Sequence, residues 1–244
     1  MGSTDAIDTD MTAVNRAFYD ALWRDAKLQE PERFNTWETL AALAALAPDR
    51  LEVGPGLRPR LPISGTAFVD LSEPAVAKLA ERGGLARLGD ATSLPFADRT
   101  FDLVCAFDIV EHVADDEAVF RELARVTRPG GVLVLSVPLH PAGWTEFDAM
   151  VGHFRRYEPG LLRTRLADHG FVIERSAIFG MQPTNTWLLR MGMWWLKHHR
   201  RRAMFCYNRL FLPIGMRLQK PLAFTDGFAD AAGIDEVMVI CRRR

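Results

Sequence analysis

The stretch LEVGPGLRPRLPISGTAFVDLS, residues 51–72, constrains the fold more than any other part of the chain. A short apolar run, Arg50–Val53, enters Gly54-Pro55-Gly56, and a second run, Ala67–Leu71, carries Asp70 near its end. A strand that runs into Gly-x-Gly lets backbone approach a ligand closely, because glycine has no Cβ to collide. An acid at the tip of the next strand is placed to accept two ribose hydroxyls. The third glycine of a dinucleotide fingerprint is missing, and Pro59 and Pro62 fall where a helix would have to propagate. A pyrophosphate needs the N-terminus of that helix. The expected ligand therefore has a ribose but no pyrophosphate on this turn, and residues 57–64 are expected to form a loop or a single turn.

Apolar runs and helical segments alternate through the rest of the chain. Leu85–Gly89, Phe101–Phe107, Val132–Val137, Phe171–Ser176 and Glu236–Cys241 read as further strands. The continuous run VLVLSV suits a strand buried on both faces. Pro74–Glu81, Asp115–Val126 and Pro159–His169 read as helices. Alternation of this kind predicts an α/β fold, a mainly parallel sheet with helices on both faces. Residues 1–10 read as disordered and 11–47 as helical, giving an N-terminal helical cap over 1–47. A core follows over 48–176. About sixty residues then separate two strands, too many for a simple connection, so 177–235 reads as a helical lid or insertion. Residues 236–244 close the core and end in a basic tail.

Further motifs follow the glycine turn in a fixed order. Glu52 precedes the glycines, GDATSLPF (89–96) places Asp90 after the third strand, and FDLVCAFDIVEHV (101–113) comes next. In this combination the chain resembles the class I S-adenosylmethionine-dependent methyltransferases of the small-molecule type, similar to methyltransferase domain 11. The resemblance implies a Rossmann-like seven-stranded sheet whose last strand is antiparallel, with a helical insertion before it. It implies S-adenosyl-L-methionine as cofactor. Glu52, Gly54 and Gly56 would line the methionine moiety, and Asp70 would bind the ribose hydroxyls. Asp90 and the Ala91 amide would read adenine, sandwiched by Leu71 and Leu94, and backbone near Phe107 would hold the ammonium. The family usually has another glycine and a helix where this chain has Leu57-Arg58-Pro59-Arg60. Arg58 or Arg60 could pair with the cofactor's carboxylate instead, or both could be solvated.

Methyl transfer needs a base only where the acceptor carries a proton. Substrates of open α/β sheets sit beyond the strand carboxyl ends. His112 and His140 fall there and are the candidate catalytic residues, since imidazole titrates near neutral pH. His153, in GHFRRY, reads as a structural loop residue. No CxxC pair or Cys/His cluster suggests a metal, and none is expected. Net charge is −1, and no Asn-Pro-Pro-Tyr-like run follows the fourth strand, so a nucleic-acid partner is not expected. Three scattered cysteines suit a reducing, cytoplasmic compartment. The expected activity is methylation of a small, partly apolar molecule at oxygen or nitrogen. RNA, protein and lipid-linked substrates remain alternatives. The insertion carries Trp187, Trp194 and Trp195 beside His198-His199-Arg200-Arg201-Arg202, so 187–211 suits a lid, an apolar pocket or peripheral contact with a membrane.

Overall fold

The computed structural model describes residues 4–23, 26–180 and 186–244. Helix α1 (Thr4–Trp23) begins well inside the segment expected to be disordered. A 3₁₀ turn (Pro31–Arg33) and α2 (Trp37–Ala45) complete the N-terminal region, so 26–36 is less helical than expected. The core then runs β1 (Arg50–Val53), β2 (Ala67–Asp70), α3 (Glu73–Glu81), β3 (Leu85–Leu88), β4 (Phe101–Phe107), α4 (Asp116–Val126) and β5 (Thr127–Pro138). Short α5 (Glu146–Val151), α6 (Pro159–Asp168) and β6 (Phe171–Ile178) follow. Then come α7 (Thr186–His198), α8 (Arg200–Cys206), a π turn (Tyr207–Phe211), α9 (Leu212–Arg217), β7 (Phe224–Asp226) and β8 (Glu236–Arg243).

The strands form one sheet in the order β3-β2-β1-β4-β5-β8-β6-β7. β1 to β5 pair in parallel, whereas β8 runs antiparallel to both β5 and β6. The eighth strand, β7, lies inside the segment expected to be purely helical and pairs antiparallel with β6. Three residues with no apolar alternation leave little for sequence patterning to detect. The sheet centre is dry on both faces, as VLVLSV foretold: Leu133, Val134, Leu135 and Val137 are fully buried. One core layer joins Val104, Val119, Phe120 and Leu123, the other Leu40, Leu61, Leu103 and Met238. Strand order reverses between β1 and β4, which opens a crevice at their carboxyl ends.

Candidate active site at the strand switch point

The glycine turn lies at the carboxyl end of β1. Gly54 (φ +66°) donates to the Val69 carbonyl at 2.7 Å, and Gly56 (φ +54°) donates to Asp70 Oδ2 at 2.7 Å. Both glycines are needed for close approach, but the neighbours are the chain's own. A Cβ on Gly54 would lie 2.2 Å from Ile109, and one on Gly56 2.5 Å from the Trp23 ring. Asp70 Oδ1 also accepts from the Ser72 amide at 2.8 Å, so its carboxylate braces the turn as well as facing the crevice rim. Burial raises its pKa, against three backbone hydrogen bonds that lower it.

Residues 57–64 contain no helix, as Pro59 and Pro62 led us to expect. Leu57, Leu61 and Ile63 are buried and anchor the loop. Glu52, 1% exposed, accepts from the Arg60 amide with both oxygens (2.9 and 3.0 Å) and from the Leu61 amide at 2.9 Å. One carboxylate thus satisfies the amides that a helix start would have presented. Burial pushes its pKa up to about 7, outweighing those amides. Arg58 lies 5.1 Å from the Trp23 ring centre and 5.2 Å from that of Tyr207. Arg60 lies 3.8 Å from that of Phe34. Neither arginine is simply solvated: Nε and Nη2 of Arg58 and Nη1 of Arg60 are buried without a hydrogen-bond partner.

The β4 carboxyl end supplies acids and imidazoles. Asp108 takes a left-handed φ of +53° and accepts from the Ser136 hydroxyl at 2.6 Å. Outside glycine that conformation is uncommon and often marks a functional position. Glu111 is fully buried, with no partner for either carboxylate oxygen. Burial first, and Asp108 next, raise its pKa far above the usual range. Glu236 is raised by the same two causes. His112 receives the Asn15 amide on Nδ1 at 2.7 Å and meets the Tyr19 hydroxyl through Nε2 at 3.2 Å. Burial, reinforced by His153, lowers its pKa to about 3, so it is neutral at physiological pH. His153 is paired through Nδ1 with Asp148 Oδ1 at 2.9 Å, which leaves Nε2 facing Glu111 Oε1 at 4.0 Å.

The other expected residues spread along the crevice. Leu71 is exposed, while Leu94 is buried in the core. Asp90 Oδ1 accepts from the Thr92 amide and hydroxyl, both at 2.8 Å. Ala91 is buried, and the half-buried Phe107 ring centre lies 6.2 Å from that of Phe179. His140 is anchored elsewhere: its Nε2 meets the Ala231 carbonyl at 2.7 Å, and its backbone sits at φ +58°. The structure therefore joins His112 to His153, not to His140. Sequence reasoning passed over Trp23, Tyr19, Asn15, Asp108, Glu111 and Asp148. Only Asp108 and Glu111 carried a signal, both inside the run FDLVCAFDIVEHV.

The donor set fits S-adenosylmethionine. Its carboxylate matches the unpartnered guanidinium nitrogens beside the glycine turn, and its positive charge matches the Asp108 carboxylate. Asp70 retains lone pairs for ribose hydroxyls. Among the described residues no helix is long and apolar enough to cross a membrane.

Comparison with known proteins bears on the family and the fold. Residues 58–135 match the family model described as a methyltransferase domain. A demethylmenaquinone methyltransferase of Roseiflexus sp. is 29% identical over 168 residues, 65% of this chain and 64% of its own. An uncharacterized methyltransferase of Mycobacterium sp. (strain JLS) is 32% identical over 141 residues, covering 51% and 52%. The chain thus spans about half to two thirds of the length of these curated relatives. A crystal structure of a methyltransferase from Thermotoga maritima, described as a possible histamine N-methyltransferase, superposes with a TM-score of 0.59 at 16% identity, covering 96% of this chain and 100% of that one.

Proposed function

We propose that this chain, whose core has the fold of the class I S-adenosylmethionine-dependent methyltransferases, methylates a small, partly apolar acceptor at oxygen or nitrogen. The observation that carries the reading is the buried, unpartnered guanidinium set of Arg58 and Arg60 beside a glycine turn braced by Asp70. When bound, the cofactor supplies a methyl group on a sulfonium sulfur, open to in-line displacement. The chain's residues do the rest. Asp70 holds the ribose hydroxyls, with Asp90, Ala91 and Leu71 at the adenine end. Glu52 keeps the Arg60 amide, and with it both arginines, in place. Gly54, Gly56 and backbone near Phe107 shape the methionine site. Tyr19, Trp23 and Tyr207 roof it and exclude water, which strengthens charge pairing inside. Where the acceptor carries a proton, His153 is better set than His112 to take it. Its Nε2 makes no hydrogen bond among the described residues and lies 4.0 Å from Glu111 Oε1 while Asp148 fixes the ring, whereas burial keeps His112 from charging. His140 belongs to the wall.

The apolar character of the acceptor rests on the insertion. Between Ala177 and Thr225 there is no Asp or Glu, but there are eight Lys and Arg. Trp194, Phe205, Leu210, Phe211, Ile214 and Leu218 are exposed along α7–α9. An exposed apolar face ringed by cations suits the boundary of an anionic bilayer. Unbridged cysteines support a cytoplasmic location. We therefore favour an acceptor drawn from a cytoplasmic membrane surface over RNA or protein.

Calorimetry with S-adenosylhomocysteine tests the cofactor site. Micromolar affinity is expected, and Asp70→Ala should weaken it about tenfold or more through lost charge-assisted hydrogen bonds. Unchanged affinity in that variant removes Asp70 from the site. Co-sedimentation with anionic vesicles tests the insertion. Binding should vanish in Trp194→Ala/Phe211→Ala, and a wild-type chain that stays in the supernatant refutes membrane contact.

A further inference from the structure

Glu111, His112 and His153 offer one ligand atom each, all within 4.8 Å of one another. We propose that these three side chains bind one divalent transition-metal ion at the carboxyl end of β4. Sequence reading expected no metal, because 40 residues separate His112 from His153 and no ligand spacing shows.

Three observations carry the proposal. Glu111 is fully buried and neither of its oxygens has a partner. Burying an uncompensated carboxyl group is costly, and a cation between Glu111 and the imidazoles removes that cost. Next, the outer contacts already orient the ligands. Asp148 accepts from His153 Nδ1 at 2.9 Å and from Arg156 Nε at 2.8 Å, so the imidazole presents Nε2 inward. A carboxylate behind a ligating histidine is the usual outer contact of a metal site. The Phe154 amide donates to the Glu111 carbonyl at 2.7 Å, which ties the two ligand segments together. Last, the His112 and His153 rings meet edge to face at 4.5 Å between centres.

Metal–ligand bonds of about 2.0–2.2 Å bring donor atoms to about 3 Å from one another. The side chains must therefore close by up to about 2 Å through χ rotations. His112 must also give up one neutral partner, the Asn15 amide or the Tyr19 hydroxyl, both on α1. Two imidazoles and one carboxylate favour zinc, manganese, iron or cobalt over magnesium or calcium. Three protein ligands leave coordination positions open, where an acceptor hydroxyl or carboxylate would bind; a bound ion would occupy His153 Nε2 and so replace it as the group that draws off the acceptor proton. That last role rests on the methyl-transfer reading; ion binding itself does not.

The test is titration of chelator-treated full-length protein with Zn²⁺ by calorimetry, with Co²⁺ d–d absorption to report nitrogen ligation. One equivalent is expected, lost or weakened more than about tenfold in both Glu111→Gln and His153→Gln. His198→Ala/His199→Ala, which removes an exposed histidine pair, should leave that equivalent intact. Wild-type protein that takes up no ion overturns the proposal whether or not the variants fold. So does uptake that survives in a folded Glu111→Gln or His153→Gln, or that is lost only in the surface variant. S-adenosylhomocysteine binding to the same chelated protein reads the cofactor site separately: if it persists where Zn²⁺ uptake is absent, only the metal site fails.

Discussion

Replacing Glu52 by alanine should destabilise the protein by an amount that depends on pH. The carboxyl group accepts three hydrogen bonds from two backbone amides, those of Arg60 and Leu61. Alanine leaves both donors buried and unpaired, at about 1–3 kcal/mol each, or about 2–6 kcal/mol together. An opposing effect comes from the buried charge. The Glu52 pKa is raised from 4.5 to about 7. A raised pKa means the folded state holds a proton that the unfolded state has released. Unfolding free energy therefore falls as pH rises from about 4.5 to about 7, by roughly 3 kcal/mol at most. Glu52→Ala lacks that slope. Its cost relative to wild type should be about 2–6 kcal/mol at pH 5 and should shrink by up to about 3 kcal/mol by pH 8. Urea unfolding at a series of pH values measures this. Amide exchange at Arg60 and Leu61 should accelerate in the variant before global unfolding. A cost under about 1 kcal/mol at pH 5, or one that does not change with pH, would refute the view that Glu52 stands in for the missing helix.

Two other substitutions separate local causes. Gly56→Ala places a Cβ against the Trp23 ring at φ +54°, whereas Gly130→Ala, at φ +77° with nothing within 4 Å, carries the backbone cost alone. Gly56→Ala should lower the melting temperature more than Gly130→Ala and weaken S-adenosylhomocysteine; equal effects on melting would remove Trp23 from the roof. Asp148 is buried, which alone would raise its pKa, yet hydrogen bonds from His153, Arg156 and Thr145 hold it below the usual carboxylate range. A depressed carboxyl pKa stabilises the fold above the unfolded-state value near 4, and this is lost as pH falls below it. Asp148→Asn leaves Arg156 its pairing with Asp235, so the cost at pH 7 should be about 1–3 kcal/mol, and it should flatten the acid limb of the stability profile; an unchanged acid limb counts against the pairing.

The fold was legible wherever one side chain dictates one local outcome. Glycines at Gly54 and Gly56 announced the turn, Pro59 and Pro62 forbade the helix, and VLVLSV announced a strand dry on both faces. The crevice followed from strand order. What stayed hidden depended on contacts far apart in sequence. Nothing near Glu52 says that its carboxylate caps residues eight and nine positions on. Nothing near His153 says that its Nε2 faces Glu111 or that its ring meets His112, where His140 does not. β7 was missed because three residues, Phe224–Asp226, gain strand geometry only from pairing with β6. The start of α1 was missed because composition at 4–10 is polar, whereas the later turns of that helix have a packed face to hold it.

That packed face makes α1 the common element of the site. Trp23 covers Gly56, Tyr19 and Asn15 hold His112, and the Leu22 carbonyl accepts from Asn208 of the insertion at 2.8 Å. Phe18 and Leu22 pack with Val151 and Met204. The floor of the crevice lies within or beside residues 58–135, the segment shared with the methyltransferase family. The roof comes from α1 and 186–217, outside that segment. On the proposed function, the floor would hold the cofactor and the roof would bear on acceptor choice. α1 touches the glycine turn, the imidazoles and the insertion together. Any loosening of that helix should reach all three at once.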